Sequence, residues 1–202
     1  MTNLAHCNGF DAQRMRGRRA RLCVTVCLTA FALARGDAFA QSAQPDIPLE
    51  YAVKATYLYK LAPFINWPPN AFASPDAPFA ICVIGDDPFD DFLAHAVSGR
   101  TFGTHPFVVR RLDALTDDTD CRIAYIGRLH SQSLQQALTA VQGQPVLTVS
   151  DSDTAAGNGS IMQFVIEGGR VRFDIDSTAA ARNHLSISSK LLNLAAAVKN
   201  DG

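Results

Sequence analysis

Residues 79–89 read FAICVIGDDPF, and this stretch decides the fold. Phe79 to Ile84 is an unbroken apolar run bounded by Pro78 and Gly85. A strand with one wet face would alternate; a continuous run suits a strand covered on both faces, as in a parallel sheet. Gly85-Asp86-Asp87-Pro88 then reads as a turn that opens a helix. Asp87 suits the N-cap and Pro88 the first helical position, so the spacing predicts a helix to about Val97.

The same alternation of element types continues on both sides. Leu49 to Ile65 reads as a helix, with Ala52, Ala55, Leu58 and Ala62 recurring at three- to four-residue spacing and Trp67-Pro68-Pro69 ending it. Downstream come an expected strand at Phe107 to Leu112, another at Cys121 to Ile126, a helix at Leu129 to Val141 and a strand at Pro145 to Val149. Residues 151–160 read as a polar loop. Ile161 to Ile166 and Arg170 to Ile175 flank Glu167-Gly168-Gly169, which predicts an antiparallel hairpin. Residues 177–184 and Ser188 to Lys199 read as two closing helices. The expected fold is α/β: a layered sandwich with a mostly parallel, mixed sheet flanked by helices and a terminal antiparallel hairpin.

The first forty residues read differently. Arg14, Arg16, Arg18, Arg19 and Arg21 precede an apolar run from Leu22 to Ala34, and Ala38-Phe39-Ala40 follows. That is the layout of a cleavable export signal, and the run is shorter than the roughly 20 residues a spanning helix needs. The expected organisation is a signal peptide over 1–40, a flexible lead-in over 41–48 and one α/β domain over 49–200, exported from the cytoplasm. Without the signal, Lys plus Arg falls from 18 to 12 and Asp plus Glu from 19 to 17, so the net charge moves from −1 to −5. An acidic domain is a poor partner for nucleic acid, and no other stretch is apolar enough to enter a bilayer.

Export gives the cysteines their meaning. Cys7, Cys23 and Cys27 lie in the signal, leaving Cys82 and Cys121. In an oxidising compartment such a pair reads as one disulfide, with two buried free thiols as the alternative. No His or carboxylate sits at ligand spacing around either cysteine, so no metal is expected. The four histidines of the mature chain are scattered, no nucleophile motif occurs, and neither an enzyme nor a cofactor is expected. Gly85, Asp86, Ser150 and Asp151 follow two expected strands and could line a ligand crevice at their carboxyl ends; capping and turn formation explain the same residues. Arg172 and Asp174 on the hairpin, with Lys190 on the last helix, read either as a solvated face or as the polar rim of a docking site. Trp67 reads as core.

Several blocks resemble one family. Tyr51-Ala52-Val53-Lys54-Ala55, Tyr57-Leu58-Tyr59-Lys60 and Phe64-Ile65-Asn66-Trp67-Pro68 resemble the opening helix of the YfiR-like periplasmic proteins. Ile81 to Phe89 resembles their first strand and turn, and Cys121 to Gly127 their second cysteine strand. Pro145 to Asp151, Arg170 to Ile175 and Leu185 to Leu192 fit as well. The resemblance implies a regulator. The family's namesake is a dimer that represses an inner-membrane diguanylate cyclase by binding its periplasmic sensing domain, and an OmpA-like lipoprotein can sequester it. Its redox response involves a second disulfide ahead of the hairpin. Residues 151–163 contain no cysteine here, so that response does not carry over.

Overall fold

The computed structural model describes residues 48–151 and 159–200, so the expected signal peptide and most of the 151–160 loop lie outside the described residues. The first element of the described residues is helix α1 (Leu49–Lys60), not the longer helix the apolar spacing predicts. Pro63 is the reason. It has no N–H to continue the ladder, and it disfavours a helical predecessor. The chain tightens into a 3-10 turn at Ala62–Phe64 and leaves as β1 (Ile65–Asn66). Trp67 stands edge-on to Phe79, with ring centres 5.3 Å apart.

Strand β2 (Phe79–Ile84) is buried at all six positions. Helix α2 (Phe92–Val97) starts four residues later than its turn chemistry suggests. Asp87 does not cap it: its carboxylate accepts the N–H of Phe89 at 2.8 Å and closes a local turn instead. Then follow β3 (Thr101–Phe102), β4 (His105–Leu112) and β5 (Ile123–Ile126). Cys121 lies just ahead of β5 rather than opening it. Helix α3 (Leu134–Ala140) also starts later than expected, at a capping box. Ser133 accepts the N–H of Gln136, and Gln136 accepts the N–H of Ser133 at 2.8 Å.

Strand β6 (Leu147–Ser150) precedes the hairpin, whose strands are β7 (Met162–Glu167) and β8 (Arg170–Asp176). The pair is antiparallel, turning at Gly168 and Gly169, both at positive φ. Asp176 caps α4 (Ser177–Arg182). After β9 (Ser186–Ile187), the expected final helix is reduced to the single turn α5 (Ser189–Leu192) and ends as the strand β10 (Val198–Lys199). The edge of β8 overrides the helical spacing. Ala196 donates its N–H to Phe173 and Ala197 accepts that of Ile175, so this backbone extends the sheet.

The main sheet has the order β10-β8-β7-β6-β5-β2-β4-β3, and β1 pairs with β9 apart from it. β4, β2, β5, β6 and β7 run parallel. The expected α/β architecture with a mostly parallel, mixed sheet is therefore observed. Side chains alternate along β2 and separate two cores. Phe79, Ile81 and Val83 join the larger one, under α1 and α2. Ala80, Cys82 and Ile84 join a smaller one, covered by α3 through Ala137 and Val141. Cys82 and Cys121 are bonded within that smaller core, with Cα atoms 5.9 Å apart and no exposure.

Candidate functional site

The strand order reverses around β2. The next two strands in sequence, β3 and β4, lie on one side of it, and β5 with all later parallel strands lies on the other. At such a reversal the loops leave in opposite directions and open a crevice at the carboxyl ends of the strands. A crevice of about 540 Å³ lies there.

Two glycines let its loops interlock. Gly85 has φ +78°, and a Cβ on it would lie 2.2 Å from the carbonyl oxygen of Arg128. A Cβ on Gly127 would lie 2.4 Å from the carbonyl oxygen of Asp86. The Asp86 N–H donates to the Arg128 carbonyl at 3.0 Å. Neither position tolerates a side chain without moving the other loop.

Three of the four expected crevice residues, Asp86, Ser150 and Asp151, line this space together. Gly85 does not line it; it holds the loop beneath. Sequence reasoning missed Tyr51 and Tyr125 on its wall, and Lys54 behind them. Lys54 is the one charged residue among the buried positions of α1. Its Nζ donates to both Asp151 carboxylate oxygens, at 2.7 and 2.6 Å, and to Glu50. It also lies 4.8 Å from the centre of the Tyr51 ring. The Tyr125 hydroxyl donates to Asp151 at 3.1 Å. Burial pushes the Lys54 pKa down, but Asp151 and Glu50 outweigh it and hold the ammonium above the usual lysine value. Burial first, and then the charge of Asp151, push the Tyr125 phenol far above its usual value. A lone lysine in an otherwise apolar helix stripe was the signal available in the sequence.

Two further contacts cross these loops. Arg111 lies 2.7 Å from Asp87, and His130 lies 2.8 Å from Asp86. These contacts brace the loops, and Asp86, Asp87 and Arg128 supply polar groups to the crevice lining. Among the described residues, no three His, Cys, Asp or Glu side chains lie together as metal ligands.

A second concavity, of about 580 Å³, lies along the outer side of α1. Its floor is the stripe Leu49, Ala52, Val53, Thr56, Tyr57 and Lys60; Phe92 of α2, Phe173 of β8, and Leu191 and Leu194 complete it. The sequence-derived docking candidates lie beside this groove. Arg172 points its guanidinium at the carbonyls of Leu194 and Ala195, at 3.4 and 3.5 Å. Asp174 faces a small hollow near Lys199. Lys190 is exposed on α5. Their neighbours Phe173 and Leu191 are the ones that reach the groove.

A family model described as YfiR/HmsC-like matches residues 51–196, most of the chain and nearly every element above. The chain belongs to the YfiR/HmsC-like family. At the level of the family it is a periplasmic regulator of cyclic-di-GMP signalling, in a group known as regulators rather than enzymes. None of the described helices is long and apolar enough to cross a membrane.

Proposed function

We propose that this YfiR/HmsC-like chain represses an inner-membrane diguanylate cyclase, or a related sensor, by binding its periplasmic sensing domain. The observation that carries the reading is the extent of the family match, from α1 to the turn before β10. Two features support it. The arginine cluster and apolar run of residues 14–34 have the composition of an export signal. The Lys54–Asp151, Arg111–Asp87 and His130–Asp86 contacts brace the crevice, which suits a rigid recognition module. An OmpA-like lipoprotein that competes for the chain, and a homodimer, belong to the same reading. Deletion of the gene should raise cellular cyclic-di-GMP and biofilm mass; a deletion strain unchanged in both would sink it.

A second reading is favoured by the crevice, whose Asp86, Ser150 and Asp151 meet at the reversal of strand order. In that reading the chain binds a small ligand there. Thermal-shift screening with nucleotides and amino acids separates the two, because a tight ligand raises the melting temperature by mass action.

A further inference from the structure

We infer that the groove along α1 receives an amphipathic helix of the regulated partner, with a partner carboxylate set against Lys60. The inference rests on the repression reading and names its contact surface. Helix α1 carries apolar residues on two sides. One side, with Ala55 and Leu58, is fully buried in the larger core. The other runs outward through Leu49, Ala52, Val53, Thr56, Tyr57 and Lys60, at the three- and four-residue spacing of a helix-packing seam. That seam follows the whole of α1, about 18 Å at 1.5 Å per residue. A compact small molecule has no use for its full length, whereas helix-in-groove recognition reads this spacing.

The chemistry of the groove narrows the occupant further. Ala52, Val53 and Thr56 are small and sit mid-seam, so a second helix can approach closely. The Thr56 hydroxyl is already spent on the Ala52 carbonyl, at 2.8 Å. Leu49 and Leu194 stand up at the rim, 81% and 59% exposed, apolar surface that a partner would remove from water. Among the described residues, Lys60 is the only charged one lining the groove. Every other lysine at hand in α1 is engaged: Lys54 holds Asp151 and Glu50. Lys60 has no ion-pair partner among the described residues, so the complementary group is an acid brought by the partner. A second copy of this chain is the competing occupant: laid antiparallel, it would bring Lys60 to the Leu49 end of the other α1, where Glu50 is bonded to Lys54 through one of its oxygens.

The test uses the mature chain and, as probe, the recombinant periplasmic domain of the diguanylate cyclase from the same genome. Binding is measured by calorimetry for the wild type, Val53→Glu, Lys60→Glu and a control on the opposite face of the sheet, Gln135→Glu. Each chain alone is also sedimented. The inference expects Val53→Glu and Lys60→Glu each to weaken binding about tenfold or more, with the control within about twofold of wild type. Lys60 is exposed, so Lys60→Glu carries the test if Val53→Glu fails to fold. Wild-type binding that both variants retain overturns the groove and leaves repression standing. A wild type that does not bind the domain overturns both. A wild-type dimer that Val53→Glu splits makes a second copy the occupant and also overturns the inference.

Discussion

Lys54 of α1 and Asp151 at the end of β6, 97 residues apart in sequence, meet with the ammonium 2.7 and 2.6 Å from the two carboxylate oxygens. The contact ties the opening helix to the point where the chain leaves β6. Lys54 is 1% exposed and Asp151 20%, so the two partners differ in what their loss leaves behind.

Asp151→Ala strands a buried ammonium with Glu50 alone, and should cost about 3–5 kcal/mol. Lys54→Met leaves a carboxylate that water and Tyr125 still reach, and should cost about 1–3 kcal/mol. The double variant Lys54→Met/Asp151→Ala should lose less than the two added together, since neither charge remains. Urea denaturation of the three variants checks the order; additive losses would refute the coupling.

Alkaline pH should weaken the domain. Lys54 and Tyr125 both hold their protons more tightly folded than unfolded. Below about pH 10 both states keep these protons and the contribution is complete. Above that, the unfolded chain releases protons first, so stability falls as pH rises towards the folded values. Tyr125→Phe and Lys54→Met should each flatten this limb in unfolding free energies measured from about pH 8 to 11. An alkaline limb identical in all three proteins would contradict the assignment.

The bridge between Cys82 and Cys121, 39 residues apart, should stabilise the domain by about 4 kcal/mol on the chain-entropy model. Cys82→Ala/Cys121→Ala should melt at lower temperature with its circular dichroism spectrum retained. Both sulfurs lie in residues with no exposure, so dithiothreitol should reduce the native bridge slowly and the urea-unfolded one fast. Equal rates would show that the smaller core opens readily.

Gly85→Ala should cost at least about 2 kcal/mol, because the position has positive φ and the added carbon meets the Arg128 carbonyl. Gly143→Ala is the comparison: it also has positive φ, but nothing lies within 4 Å of the added carbon. A melting temperature shifted equally by both would remove the interlocked loops as an explanation.

Much of this architecture could be read from the chain. Phe79 to Ile84 announces a doubly covered strand because no polar residue interrupts it, and Gly168-Gly169 announces the hairpin through its positive φ. Helix ends were harder. Pro63 and the Ser133–Gln136 box were in plain sight, yet apolar spacing on either side outweighed them in a local reading. The last segment was illegible for another reason: Ala196 and Ala197 follow the edge of β8, a partner that no local pattern identifies. The crevice was partly legible, since aspartates after strands mark carboxyl ends. Its bracing lysine comes from a helix almost a hundred residues away.

The two faces of the sheet are unequally clothed, and the disulfide lies under the thinner covering, the one that α3 supplies. The domain therefore has a preferred direction of opening. Lifting α3 would bare one side to solvent exchange and proteases while the cross-link keeps β2 and the start of β5 in register. The opposite side, with α1 and its groove, would keep its shape through such excursions. The covalent tie then acts as insulation, separating the breathing of one face from the surface a partner would read.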